Sequence, residues 1–443
     1  MKRKHFLSSA AALSIGSIGT AYGFNSSTSD TNSRVLASAE TNNPLNFSEL
    51  RDFYSSQLFD RFLPNLNQSA IDHEYGGFMT DVNIETGERN STNKRAWYEG
   101  RGMWTYAFLY NNVRQTPEIL EVARKSKDFI LRHKPETPGA YFPGSYDRRG
   151  RVLSADGNLY GDLFIAEGLA EYAAASGEEE YYDIARKLVL DGVERYDRPD
   201  YDYHISYLSP DAPQIEGVRV LGHWMVLLIG STHMLLHRDD PAIREISDRS
   251  IDAIMNYHLN ADYGLLNEGL NHDLSVPDNE FSQFAYTGHG IETLWMVMYE
   301  AVRRRDQALY ERAAEAFKRH VTVAYDAVYG GYFRSLDHVD ENRWKVDKVL
   351  WLQEEILIGT MLMIEHTGDE WARKIFLKTH DYVQEKFVHP GFRFWTSGGD
   401  RTLEEYNSSR AEHYHHPRHL MLNLLALDRI IERGGELSGL FDV

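Results

Sequence analysis

The sequence predicts an all-α chain whose helices pair into six hairpins that close into a toroid. Three observations predict it. First, a phrase recurs at a fixed internal spacing. Asp72-His73-Glu74-Tyr75-Gly76-Gly77-Phe78 is followed by Lys94-Arg95-Ala96-Trp97-Tyr98-Glu99, and Asp326-Ala327-Val328-Tyr329-Gly330-Gly331-Tyr332 by Lys348-Val349-Leu350-Trp351-Leu352-Gln353, each Asp lying 22 residues before its Lys. Second, weaker copies begin at Tyr263 and His389, and two more fit by position near residues 139 and 201. The starts then step by roughly 60 residues, the signature of a repeat architecture. Third, helical periodicity flanks each Gly-rich turn.

The elements follow in order. The stretch 98–111 opens the first hairpin, and Ile119, Val122, Ala123, Ser126, Phe129 and Ile130 keep i, i+3, i+4 spacing in its second helix. Leu159, Leu163, Ala166, Ala170 and Ala173 do the same in the next hairpin, which 184–195 completes. The stretches 219–236 and 241–257, 288–302 and 307–321, and 349–365 and 371–387 give three further pairs. Strand signals are short and stay in the turns, as at Tyr332-Phe333-Arg334-Ser335. An open solenoid is the alternative, but the even step and the count of six favour closure. Inner helices then surround a cavity and outer helices cover them.

Composition sets the bounds. The chain has 443 residues, 42% of them hydrophobic, enough for one barrel-sized core from residue 45 to about 437. Net charge is −19 with no basic stripe, which argues against nucleic acid as a partner. Cysteine is absent, so disulfide, zinc-thiolate and Cys-nucleophile chemistry are excluded. Aromatic content of 12%, with 27 Tyr and 8 Trp, suits a sugar-lined cleft as well as packing between helices. Residues 1–23 read as an export signal: Lys2-Arg3-Lys4, then a mildly apolar stretch from Phe6 to Ala21, too interrupted to span a membrane. Residues 24–44, rich in Ser, Thr and Asn, read as a disordered linker. The expected location is periplasmic or secreted, with no membrane contact after cleavage. Oligomeric state is open between monomer and homodimer.

The repeat also serves as a ruler. Twenty-six residues past each start lie Arg101, Ile165, Leu227, His289, Glu355 and His415. A random ring of core positions would be mostly apolar. This one holds Arg, His, Glu and His at one expected level around the cavity, and so marks the candidate site. Glu292, at i+3 from His289, is placed to bind a ring nitrogen of that His or a substrate hydroxyl. Arg418 bears the same relation to His415. Trp97 and Trp351, four residues before Arg101 and Glu355, are placed to stack on a sugar face. Trp295 is a further site candidate, and Trp104 reads as core. His413, His416 and His419 are either supporting or surface groups. His289, Glu292 and His415 also make a two-His, one-carboxylate set, but an Arg in the same ring disfavours a cation there. The chemistry requires neither a metal nor a nicotinamide, and no Gly-rich phosphate loop follows a strand.

These residues resemble a known family. Lys94-Arg95-Ala96-Trp97-Tyr98-Glu99-Gly100-Arg101-Gly102-Met103-Trp104 is similar to the KxxWxQGRxxW segment of N-acylglucosamine 2-epimerases. Gly288-His289-Gly290-Ile291-Glu292-Thr293-Leu294-Trp295 resembles their GHxxExxW, Trp351-Leu352-Gln353-Glu354-Glu355 the end of WWxQxE, and Tyr414-His415-His416-Pro417-Arg418 their FHxPR. The resemblance covers roughly 45–430 and implies an (α/α)6 barrel acting on a small sugar without a cofactor. It implies that His289 and His415 act as base and acid on opposite faces of the opened sugar and that Arg101 stabilises charge on its oxygens. Glu292 and Glu355 would hold hydroxyls or orient a His, and the expected substrate contacts are Trp97, Trp351, Trp295, Arg418 and Glu99.

Three departures stand out. Glu99 replaces the usual Gln, Leu350 replaces the first Trp of the pair, and Trp224–Gly230 lacks the HxHLLEA-like stretch of disaccharide epimerases. The last speaks against disaccharide activity. The expected function is 2-epimerisation of an aldose or N-acylhexosamine, with aldose–ketose isomerisation of the mannose/fructose type as the alternative. A glycoside hydrolase using two of Glu99, Glu292 and Glu355, a polysaccharide lyase, and a non-catalytic sugar-binding protein are the remaining classes.

Overall fold

A computed structural model describes residues 45–137, 139–205 and 216–441. The expected signal and linker, residues 1–44, lie outside them. In chain order the helices are α1 (Phe47–Ser56), continued through a π-helical turn (Gln57–Phe62) into α2 (Leu63–Ser69), then α3 (Ala96–Asn112), α4 (Pro117–Leu131), α5 (Leu159–Ser176), α6 (Glu179–Tyr196) and α7 (Leu221–His237). There follow α8 (Pro241–Asp252), extended by a second π turn (Ala253–His258), α9 (Thr287–Arg304), α10 (Gln307–Ala324), α11 (Leu350–Thr367), α12 (Glu370–Lys386) and α13 (His415–Glu432).

Helices α3, α5, α7, α9, α11 and α13 form the inner ring. Each packs on the next, and α13 packs back on α3, so the ring is closed. Inner helices touch two ring neighbours, an outer helix and the lumen, so they are buried on nearly every side. In α5 every residue from Leu159 to Ala173 is buried. Outer helices bury one stripe only, as in α4, where Ala123, Ser126, Phe129 and Ile130 face inward. Asp240, Asp306 and Asp369 cap α8, α10 and α12 by accepting backbone N–H groups of the first turn.

The sixth outer helix does not follow the sixth inner helix. α1 and the π turn, from the opposite end of the body, pack on α13 and complete the outer layer. Leu58 and Leu66 of this N-terminal run are fully buried. Among the described helices none is long and apolar enough to cross a membrane.

The recurring phrase is a buried clamp. Lys94 Nζ donates to Asp72 Oδ2 at 3.0 Å, and Lys348 Nζ donates to Asp326 Oδ2 at 3.0 Å. Each Lys also donates to the carbonyl of a turn glycine, Gly76 or Gly330. Each Asp accepts a second, two-pronged cation, Arg148 or Arg401. The clamp thus ties the turn to the residues just before α3 and α11, and so fixes where those inner helices begin.

Candidate active site

The ring residues come together at the N-terminal end of the inner helices, though not at one level. His415 is the first residue of α13 and His289 the third of α9, whereas Arg101 and Glu355 are the sixth of α3 and α11. The extra depth puts Glu355 beneath His415. His415 Nδ1 lies 2.9 Å from Glu355 Oε1 and 3.7 Å from Glu292 Oε1. Arg418 Nη2 donates to Glu292 Oε1 at 2.6 Å and to Glu355 Oε1 at 2.7 Å, and Trp295 Nε1 donates to Glu355 Oε2 at 2.6 Å. Glu412 accepts the backbone N–H groups of Tyr414 and His415 and so fixes the start of α13. His415 therefore sits on a floor in which Glu292, Glu355, Arg418 and Trp295 bond one another.

His289 is held differently. Its Nδ1 is 2.9 Å from Glu268 Oε1, a carboxylate buried to zero exposure. This corrects the expected pairing of Glu292 with His289: Glu292 turns to Arg418 instead. Glu268 follows the short strand Leu265–Leu266 and precedes Gly269–Leu270. Its own carbonyl accepts the N–H of Leu221, at the start of α7. Sequence reading missed it because no periodicity marks a turn residue. The ruler holds a trace of it, since five residues past the phrase tyrosines lie Thr80, Glu268 and Arg334. The backbone carbonyl of each accepts an N–H from the segment leading into, or starting, a neighbouring inner helix.

The two histidines are pushed in opposite directions. Burial lowers the affinity of His289 for a proton, but Glu268 beside it outweighs burial, and the net direction is upward. Burial drives His415 down to about 3, against Glu292 and Glu412 and with Arg418 and Arg101. Between them stands Trp351, half-buried, with its ring centroid 6.2 Å from that of His289 and 5.5 Å from that of His415. A Cβ at Gly288 would collide with the Trp351 ring, so glycine there is what lets the indole lie on the start of α9.

Arg101 lies in an aromatic cage, its guanidinium carbon 4.2 Å from the centroid of Phe164, 4.5 Å from Tyr414 and 5.1 Å from Trp97. Its Nε is buried with no hydrogen-bond partner among the described residues. Trp97 stacks on Tyr160 and Phe164. The Trp97 Nε1 and Tyr160 hydroxyl are likewise buried and unpartnered there. A caged cation beside unmet polar atoms is what a hydroxyl-rich ligand would satisfy.

The remaining predicted residues fall outside this wall. Glu99 turns away from the ring: Oε1 accepts the N–H of Phe78 at 2.9 Å and Oε2 accepts from Ser126 Oγ at 2.9 Å. Gln353 does the same for Tyr332, and Asp162 for Phe142. Glu99 is thus an anchor for the Gly-rich turn, not a sugar ligand. Trp295 and Arg418, expected to touch substrate, are 1% exposed and act on Glu355 and Glu292 from below. Trp104 is core, and Ile165 and Leu227 pack in the barrel wall. His413, His416 and His419 are buried rather than on the surface.

Known proteins share this fold. The family model described as N-acylglucosamine 2-epimerase matches residues 76–417. The N-acylglucosamine 2-epimerase of Bos taurus is 23% identical over 347 residues, covering 76% of this chain and 80% of the relative. The cellobiose 2-epimerase of Bacteroides fragilis is 23% identical over 378 residues, covering 80% and 92%. The solved structure of cellobiose 2-epimerase from Spirochaeta thermophila superposes with a TM-score of 0.75 at 18% identity, covering 88% of this chain and all of that one. The fold is the (α/α)6 barrel, and the class of protein is a carbohydrate isomerase. Within that class, the chain belongs to the N-acylglucosamine 2-epimerase family.

Proposed function

We propose that the protein inverts C2 of a free aldose or N-acylhexosamine, of the N-acylglucosamine/N-acylmannosamine type, by proton transfer between His289 and His415. The observation that carries this reading is that each histidine has its Nδ1 held by its own buried carboxylate, Glu268 or Glu355, on either side of Trp351. That arrangement fixes two imidazoles in orientation and directs chemistry to Nε2 of each. After ring opening, one Nε2 takes the C2 proton, and the electron pair left behind becomes the C1–C2 enediolate. Arg101 stabilises the negative oxygen. The other histidine returns a proton to the opposite face of C2. Delivery to C1 instead gives the ketose, so epimerase and isomerase share the constellation.

The carboxylate geometry disfavours a glycoside hydrolase. Glu292 and Glu355 converge on one Arg418 nitrogen, and Glu99 points into the turn, so no pair of these faces across the cavity. Incubation with N-acetylglucosamine, N-acetylmannosamine, mannose and cellobiose, read by NMR at the reducing end, tests the proposal. A new C2 epimer is expected. A ketose as the sole product makes it an isomerase, and a cleaved disaccharide a hydrolase. Export belongs to the same reading. Lys2-Arg3-Lys4 and the stretch Phe6–Ala21 support it, and N-terminal sequencing of the mature chain tests it.

A further inference from the structure

We propose that Glu354, His416 and His419 form a buried binding site for a divalent transition metal of the zinc class, separate from the sugar-facing ring. Glu354 comes from α11 and the two histidines from α13. Each helix therefore turns one residue to the ring, Glu355 or His415, and its immediate neighbour away from it. One ligand atom from each of Glu354, His416 and His419 lies within 4.8 Å of the others. His416 Nδ1 is 2.5 Å and His419 Nδ1 3.5 Å from the same oxygen, Glu354 Oε1. Two imidazoles and one carboxylate make a donor set suited to zinc, with a fourth position for water.

Hydrogen-bond accounting favours a cation over a closed polar knot. Glu354 Oε2 is buried and finds no partner among the described residues, while His416 Nδ1 meets Glu354 Oε1 and His419 Nδ1 also meets the His416 carbonyl at 3.1 Å. An unmet buried carboxylate oxygen carries a desolvation cost that something must offset. No Lys or Arg among the described residues is ion-paired with Glu354, whose side-chain partners are the two imidazoles.

The other such group, Glu292, Glu355 and His415, makes the comparison. There Arg418 Nη2 sits 2.6 and 2.7 Å from the two carboxylates and supplies the positive charge. The Glu354 group has a similar make-up with no guanidinium bonded to its carboxylate; Arg61 acts on His416 only from over the Trp395 ring. The ring chemistry does not call for these side chains either, since residues 354 and 416 stand at the open positions of the WWxQxE and FHxPR patterns.

The N-terminal run covers the site. The Phe62 ring, at the end of the π turn, packs 4.9 Å from that of His416, and the Tyr54 ring 5.4 Å from that of His419. Trp395 closes the other side of His416 at 4.1 Å. A metal enters such a site as the run docks on α13 during folding, and afterwards exchanges slowly.

The test uses the full chain and reads metal rather than sugar turnover, so its failure is distinct from failure of the epimerase reading. The protein is produced with zinc in the medium, passed through gel filtration in chelator and analysed for metal. A second portion is refolded from denaturant with zinc, with Co2+, or with chelator alone. About one equivalent of zinc per chain is expected to survive filtration. The cobalt-refolded protein is expected to show visible d–d absorption, and the zinc-refolded protein a thermal midpoint several degrees above the chelator-refolded one. Glu354→Gln and His419→Gln should each lose the metal with helical circular dichroism retained, whereas Glu292→Gln keeps it. The proposal is overturned by a wild type with only trace metal by both routes and no midpoint shift. It is also overturned by metal that survives Glu354→Gln and disappears in Glu292→Gln. If the variants do not fold, the wild-type metal content decides.

Discussion

Glu268 and His289 show how one buried contact sets the protonation of a ring residue. Because Glu268 raises the proton affinity of His289 above the ordinary value of about 6.5, the imidazolium persists to higher pH than a free histidine would. The direction of reaction that uses His289 as acid should lose rate as pH rises through that raised value. Glu268→Gln removes the stabilising charge, so the alkaline limb of kcat/KM should move to lower pH. An unmoved limb with lowered kcat would mean that Glu268 only shapes the loop. His289→Ala and His415→Ala should each cut turnover by about 10²–10⁴-fold or more, the usual range for a general acid or base. Isotope exchange at C2 in deuterated water should survive in at most one of the two variants. Glu99→Gln should leave KM for the sugar unchanged, because Gln353 already fills the equivalent role in the other copy of the phrase. That Trp97, Arg101, His289, Glu355 and His415 share one end of the barrel was legible because they lie on helices, where spacing reports side. Glu268, on a turn, was not.

The turn clamps carry the stability argument at the level of elements. Asp72, Lys94, Asp326 and Lys348 are fully buried. Removing one member leaves an uncompensated charge in a low-dielectric setting. Lys348→Met should therefore destabilise the fold by about 3–5 kcal/mol, measured as a shift in denaturation midpoint. Burial raises the Asp72 carboxyl, but Arg148, Lys94 and the Tyr75 N–H outweigh it and hold it at about 2. Its folded value is below the unfolded value of about 3.9, so its stabilisation is complete above that pH. It is lost as pH falls toward about 2. Acid unfolding in Asp72→Asn should be shallower over that window than in the wild type. The repeated phrase marks its glycines as turn residues, and the structure agrees: Gly76, Gly77, Gly330 and Gly331 all have positive φ between 68° and 84°. The second cations, Arg148 and Arg401, were invisible in sequence. They lie 76 and 75 residues from their aspartates, beyond any repeat within one hairpin.

Ring closure belongs to the whole molecule. Five inner helices take the outer helix that follows them, and the sixth takes Phe47–Ser56 with its π turn, from the start of the body. Leu58→Ala should cost about 2–5 kcal/mol, the range for a buried leucine whose cavity relaxes little. Deleting residues 45–69 should expose the apolar back of α13 and abolish a single cooperative unfolding transition. A truncated chain that melts in one transition at the wild-type midpoint would show that the ring holds without its sixth outer helix. The even step of the repeat foretold six hairpins. It did not foretell that the sixth is assembled from both ends, because residues 47–69 carry neither the phrase nor a place in its count.

Sequence alone determined the repeat, the helical pairs and the membership of the ring, because each rests on local periods of the chain: 3.6 residues for a helix face and about 60 for a hairpin. The tertiary structure alone decided which carboxylate holds which histidine and that Arg418 bridges Glu292 and Glu355. It also decided that Glu99 faces the turn and that the N-terminal run closes the barrel. Those outcomes depend on which way each side chain turns and on how closely neighbouring helices pack, which spacing does not report even where, as for His415 and Glu355, the separation is one step of the repeat. Such packing can turn adjacent residues of one helix, Glu354 and Glu355, toward two different sites.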